Sequence, residues 1–190
     1  MMSSGELRTI SPSYQRMNLE MHSEKPSYGT SGKTWAKAVS TLCTHRKYNT
    51  ILDYGCGKMT LSKELQKLNP RILVTGYDPA IPGKDQKKFC DLVVCTDVLE
   101  HVEPEYLDAV LDDLTVWGKE LYTVIHCGPA LKMLPDGRNA HLIQERYQWW
   151  LNKLIPRFQL EEVAVRRVDG KWSHTELTAL AIPLSLAGDK

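Results

Sequence analysis

The sequence predicts a three-layer α/β sandwich: one mostly parallel sheet, helices on both faces, and a C-terminal antiparallel hairpin. Three observations carry this expectation. Strand-like and helix-like stretches alternate from Thr50 to Leu114, the pattern of parallel strands joined by crossover helices. Leu92-Val93-Val94-Cys95 is an unbroken apolar run, as in a strand buried on both faces. Two β-rich stretches, Leu160 to Val168 and Trp172 to Ile182, flank Asp169-Gly170, a hairpin signal.

Residues 1–12 are polar and patternless and are expected to be disordered. Residues 13–184 are expected to form a single domain, and 185–190 a loose tail. Tyr14 to Glu24 reads as a short helix, and Ser27-Tyr28-Gly29-Thr30-Ser31-Gly32 as a turn-rich loop. A helix follows from about Thr34, with Trp35, Val39 and Leu42 at i, i+4 and i+7. Thr50 to Tyr54 is a strand running into Gly55-Cys56-Gly57. Thr60 is placed to cap a helix whose apolar stripe is Leu61, Leu65 and Leu68, stopped by Pro70. Ile72 to Tyr77 is the next strand, and Ala80 to Phe89 a loop in which Lys84, Lys87 and Lys88 are expected to be solvated. After the Leu92–Cys95 strand, Pro104 opens a helix buried through Leu107, Val110, Leu111 and Leu114, with Asp108, Asp112 and Asp113 on its wet side. Leu121 to Ile125 is a further strand. A last helix carries Ile143, Tyr147, Trp150, Leu151 and Leu154, and Trp149-Trp150 reads as core.

Composition bounds the function. In 190 residues, 24 Lys+Arg face 23 Asp+Glu, which argues against a broad basic surface for nucleic acid. The five cysteines are odd in number and form no CxxC pair, so neither a disulfide framework nor a zinc ribbon is expected. Reduced thiols and the lack of an apolar leader or long apolar run fit a cytoplasmic protein away from membranes.

The chemistry concentrates at strand ends. Glycines after Asp53-Tyr54 permit a tight turn and close approach of a ligand to the backbone, and the following helix offers free N–H groups. Asp78 ends the next strand, 21 positions after Gly57, where a carboxylate can accept from ribose hydroxyls. A plain βα turn with a solvated aspartate is the alternative. A dinucleotide fold wants GxGxxG, but its third glycine is Thr60 here. Asp53, two residues before the first glycine, instead suits an ammonium group, such as that of S-adenosylmethionine.

ILDYGCGK, GYDPA and DLVVCTDVLEHV resemble the first, second and fourth motifs of class I S-adenosylmethionine-dependent methyltransferases, with a Rossmann-like fold. Together with Tyr28 to Gly32 and Leu134 to His141, the pattern looks most like short methyltransferase-like proteins carried by bacteriophages. The resemblance covers about residues 28–182. It implies that Asp53, Gly55 and Gly57 line the methionine half of the cofactor. It further implies that Asp78 holds the ribose beside Pro79 and Ala80, that Asp97 sits near the transferring methyl, and that Tyr28 and Gly29 close over the cofactor. Two departures stand out. Met59 occupies a position that is often glycine, and only 12 residues separate Asp78 from Asp91, so a full third strand with its preceding helix is not expected. Phe89 or Ile81 would then floor the adenine pocket.

Asp97, Glu100 and His101 fall at i, i+3 and i+4, and His141 follows the next strand. The set resembles the divalent-metal ligands of two O-methyltransferase families, those acting on catechols in ubiquinone synthesis and on the 3′-terminal ribose of small RNAs. A divalent ion there would gather two neighbouring hydroxyls and lower the pKa of one. Without metal, His101 or His141 is the candidate general base, and Asp97 a catalytic carboxylate. Thr96-Asp97-Val98-Leu99 lacks the Pro-Pro-aromatic run of amino-methyltransferases acting on bases, and Cys95 lacks the preceding proline of cytosine C5 enzymes. O-methylation of a small molecule or a terminal nucleotide is therefore the expected activity. A cofactor-binding module without transfer, motivated by Met59 and the shortened adenine side, and an NAD-dependent oxidoreductase are the rivals.

Overall fold

A computed structural model describes residues 8–168 and 171–188, without the side chains of 171–174. The Asp169-Gly170 turn, residues 1–7 and residues 189–190 lie outside it. The elements are α1 (Pro12–Glu24), α2 (Gly32–Arg46), β1 (Thr50–Tyr54), α3 (Thr60–Leu68), β2 (Leu73–Tyr77), β3 (Cys90–Thr96), α4 (Leu107–Leu114), β4 (Gly118–Cys127), α5 (Tyr147–Leu154), β5 (Phe158–Val168) and β6 (Lys171–Pro183). One six-stranded sheet runs in the order β2-β1-β3-β4-β6-β5. The first four strands pair in parallel, and β6 is antiparallel to both β4 and β5.

Period-two alternation divides the core. Ile51, Leu92 and Val94 face α2 and α3 with Leu61 and Leu65, while Leu52, Val93 and Cys95 face α4 and α5 with Leu111 and Trp150. These are the three layers the sequence predicts. α1 belongs to neither layer. It packs through Tyr14 on Leu134 and Ala140, in the long connection after β4.

Several local expectations are corrected. Of the stretch expected to be disordered, residues 8–12 are described: Ser11 caps α1, its Oγ accepting from Tyr14 N at 3.1 Å, while its own N–H and hydroxyl bind the Glu103 carboxylate at 2.8 and 2.6 Å. Leu184, the last residue of the expected domain, donates its N–H to Arg157 O at 2.9 Å. Thr60 is not a cap. Met59 takes that position with φ 57°, and the Thr60 hydroxyl instead donates to Thr30 O and accepts from Lys33 N. Leu68 is exposed rather than part of the stripe, and Ile143 precedes the last helix.

As expected, no strand or helix stands between β2 and β3. Lys88 is exposed as expected, but Lys84 and Lys87 are half-buried and bonded. Lys84 donates to Gly57 O, and Lys87 pairs with Asp113 at 2.6 Å while its ammonium lies over the Tyr77 ring at 4.5 Å. Asp113, assigned by helical spacing to the wet side, is buried and also accepts from Tyr54 and Trp117. Amphipathic periodicity missed it because a lysine and two ring donors satisfy the buried charge from outside the helix.

Candidate functional site

Parallel strands end together, and β1 and β3 are neighbours from which the chain departs in opposite directions along the sheet. A crevice forms outside the carboxyl ends of strands at such a switch point. It is a cavity of about 440 Å³. The sequence places its chemistry there because Asp53, Asp78 and Asp97 each lie within one residue of the end of a parallel strand.

The glycine turn wraps the end of β2. Gly55 N and Cys56 N donate to Tyr77 O at 2.8 and 3.0 Å, and Gly57 N donates to Asp78 Oδ2 at 3.0 Å. Gly57 has φ 48°, and a Cβ there would lie 2.7 Å from Gly29 O. The Ser27–Ser31 loop therefore sits directly on the turn, an approach only two glycines permit. Met59 turns away: a Cβ on Gly76 of β2 would lie 2.1 Å from its sulfur. It packs on the sheet and does not line the cavity.

Asp53 is buried and its Oδ2 has no partner. Burial, then the nearby Asp78 charge, push its pKa up to about 7. Asp78 is held more firmly, its Oδ1 accepting from Ala80 N at 3.0 Å. Asp97 has φ 54° and turns its Oδ2 to Trp35 Nε1 at 3.0 Å; burial raises its pKa although that bond opposes the shift.

The next groups follow in strand order. Glu100 is fully buried; Oε1 accepts from His126 N at 3.0 Å and Oε2 has no partner. Burial first, then Asp97, raise its pKa well above the usual range. His101 Nδ1 lies 2.7 Å from Ala140 O, and His141 Nδ1 lies 2.6 Å from Gly128 O. A carbonyl only accepts, so both rings carry their proton on Nδ1 and keep the Nε2 lone pair. Burial depresses both pKa values, that of His101 to about 3. The rings meet edge to face at 4.7 Å. Ligand atoms of Glu100, His101 and His141 lie within 4.8 Å of one another, and Asp97 is not in that group. Of the four residues that resembled a metal set, three therefore come together, while the Asp97 carboxylate, on left-handed backbone, is bonded to Trp35 instead.

Nine of the residues that sequence reasoning placed near the cofactor line this one cavity: Tyr28, Gly29, Asp53, Gly55 and Gly57, with Asp78, Pro79, Ala80 and Asp97. Glu100, His101 and His141 line it too. Phe89 and Ile81 do not; Phe89 is exposed and Ile81 borders a separate hollow. Sequence reasoning missed Tyr14, Asn18, His22 and His126, which also line the cavity. No motif carries the first three, and only the helical register of 12–24 could have placed them on one face.

A methyltransferase-domain family model matches residues 29–150. The chain belongs to that family. No curated protein matches it. Among solved structures, it is similar to the Burkholderia thailandensis 1,6-didemethyltoxoflavin-N1-methyltransferase with bound 1,6-didemethyltoxoflavin and S-adenosylhomocysteine. The TM-score is 0.63 at 14% identity, covering 90% of this chain and 87% of that one. It is also similar to the methyltransferase domain of bacterial CtHen1-C, with TM-score 0.57, 14% identity and coverage of 80% and 97%. The N-methyltransferase NodS from Bradyrhizobium japonicum, bound to S-adenosylhomocysteine, gives TM-score 0.56, 12% identity and coverage of 90% and 98%. At such identities the likeness establishes the fold, a Rossmann-like α/β sandwich with antiparallel C-terminal strands. Among the described residues no helix is long and apolar enough to cross a membrane.

Proposed function

We propose that this methyltransferase-family chain transfers a methyl group from S-adenosylmethionine to a hydroxyl oxygen of a small molecule or terminal nucleotide, assisted by a divalent cation. The observation that carries this is a single cavity with two kinds of unsatisfied carboxylate. Asp53 Oδ2 stands beside the glycine turn, and Glu100 Oε2 beside two imidazoles with free lone pairs. A buried, unpartnered carboxylate oxygen is costly unless a cation or proton joins it.

The donor sets fit the two groups. Asp53 is placed to pair with the amino-acid ammonium, and Asp78 keeps lone pairs for ribose hydroxyls beyond its two backbone donors. Tyr28, Gly29, Pro79 and Ala80 wall the cofactor side. Glu100, His101 and His141 offer one carboxylate and two neutral imidazoles, a set that suits Mn²⁺, Fe²⁺ or Zn²⁺. Each histidine donates its other ring proton to a backbone carbonyl, the arrangement that orients a metal-binding imidazole. S-adenosylmethionine, when bound, supplies the electrophilic methyl, and a divalent ion supplies acidity to adjacent acceptor oxygens.

The chain's own part is positioning and proton control. A pKa near 3 makes His101 a weak base, so ligation suits it better than proton removal. His141 is the residue placed to accept the acceptor proton where no ion is bound. Tyr14 donates to His101 O at 2.7 Å and so fixes the backbone beneath that imidazole. Asp97 lines the same cavity, its carboxylate held by Trp35. Of the two features that motivated a module without transfer, Met59 packs away from the cavity, whereas the short connection between β2 and β3 is present.

The test is calorimetry with S-adenosylmethionine, S-adenosylhomocysteine and NAD, followed by tritiated methyl transfer into fractionated extract with Mn²⁺ or EDTA. Binding of the sulfonium pair and label in hydroxyl-bearing metabolites or RNA ends are expected. A preference for NAD removes the proposal, and transfer indifferent to EDTA removes the cation.

A further inference from the structure

His22 belongs to no motif, yet it stands beside the carboxylate assigned to the ribose. It lies in the last turn of α1 and lines the cavity. Its Nε2 is 3.9 Å from Asp78 Oδ2, and its Nδ1 is buried without a partner. The separation is too long for a hydrogen bond, so donor and acceptor face each other across a gap. One oxygen about 2.8 Å from both atoms would subtend an angle of about 90°, a geometry within reach of a hydroxyl. Such a hydroxyl donates to the carboxylate and accepts from the imidazole N–H. Burial outweighs the pull of Asp78 and lowers the His22 pKa, so a neutral ring with one donor and one lone pair is presented.

The ring is also held in place. It meets Tyr28 edge to face at 4.8 Å, and the Tyr28 hydroxyl donates to Asn18 Oδ1 at 2.8 Å. A Cβ on Gly29 would lie 2.3 Å from His22 Cε1, so the loop closes on the ring with no room to spare. Asp78 is equally fixed, each oxygen taking one backbone N–H. Both partners are therefore oriented before any ligand arrives.

We infer that His22 is a ribose-binding residue, forming with Asp78 a two-sided grip on one ribose hydroxyl of the cofactor. This deepens the proposed function and rests on its assignment of S-adenosylmethionine. The same helix, two turns earlier, donates from Tyr14 to His101 O. The eight residues from Tyr14 to His22 span about 12 Å of helix. α1 is thus a rigid bar joining the ribose end of the cavity to its imidazole end.

The test is a cycle of protein and ligand changes read by calorimetry. The protein forms are the unmodified chain, His22→Phe, which keeps a packed ring, and His22→Gln, which restores an N–H donor. The ligands are S-adenosylhomocysteine and its 2′-deoxy and 3′-deoxy analogues. His22→Phe is expected to weaken S-adenosylhomocysteine about 5- to 20-fold, the worth of a neutral hydrogen bond, and His22→Gln to recover part of that loss. For one deoxy analogue, the penalty seen with the unmodified chain should shrink about 5-fold or more in His22→Phe. A structural role would instead weaken all three ligands by the same factor. Equal factors, or unchanged affinity in His22→Phe, overturn the inference alone. An unmodified chain that does not bind S-adenosylhomocysteine overturns the cofactor assignment with it.

Discussion

Asp53→Asn should make the protein more stable and a worse binder. The carboxyl is buried, and its pKa rises from 3.8 to about 7 on folding. A raised folded pKa means that the folded state holds the proton more tightly than the unfolded chain. The stability this confers is fully present below 3.8 and is lost as pH rises to about 7. A shift of about three units corresponds to roughly 4 kcal/mol at pH 8. A buried amide lacking partners returns about 1–3 kcal/mol of that, leaving a net gain of about 1–3 kcal/mol. For a chain of this size that is a Tm rise of several degrees, on the order of 2–4 °C per kcal/mol. Binding a cation needs the ionised form, which is about 90% of Asp53 at pH 8 and about 10% at pH 6. Affinity of the unmodified chain for S-adenosylhomocysteine should therefore fall about tenfold from pH 8 to pH 6. Asp53→Asn should lower affinity at pH 8 by about 10- to 100-fold, the worth of a charged hydrogen bond, and flatten the pH profile. Calorimetry from pH 6 to 8.5 and thermal unfolding at pH 8 measure both effects. A pH-independent affinity in the unmodified chain, or a lower Tm for Asp53→Asn at pH 8, would refute the role given to this carboxylate.

Three further outcomes are expected. Glu100→Gln should abolish any rise in Tm produced by Mn²⁺ and, because the folded pKa of Glu100 is raised, should stabilise the metal-free protein increasingly as pH climbs; an undiminished Mn²⁺ shift contradicts the ligand assignment. Gly76→Ala should destabilise by about 1–3 kcal/mol through collision with the Met59 sulfur, and adding Met59→Ala should recover most of it; denaturant unfolding of the two variants tests the pair, and additive losses would show that Met59 packs elsewhere. Lys87→Met should cost about 3–5 kcal/mol by leaving the buried Asp113 without its cation; a loss under 1 kcal/mol in urea unfolding would mean that Tyr54 and Trp117 alone satisfy that carboxylate.

The layered fold was legible because its signals are local. Asp53, Asp78 and Asp97 could be placed from strand ends alone, since a parallel sheet gathers those ends at one rim. The missing third strand followed from counting residues between Asp78 and Asp91. Three kinds of information were not local. Asp113 looked solvated because helical spacing gives the face of a residue but not a lysine arriving from a loop. The metal set looked like four residues because spacing cannot report that Asp97 adopts φ 54° and binds Trp35. α1 could be read only as a short helix, because polar side chains, Ser11, Tyr14, Asn18 and His22 among them, fasten it to the rest and leave no apolar stripe to say where it packs.

The strand order leaves β2 and β5 as the two outer rims of the sheet. Unpaired rims invite a second copy of the chain to extend the ladder. Here each rim carries a deterrent. β2 is only five residues long and is bracketed by Pro70 and Pro79. β5 is longer but is broken by a register shift between Leu160 and Glu162, and it exposes Glu161, Glu162 and Arg167. Edge-to-edge polymerisation is thereby discouraged at both ends.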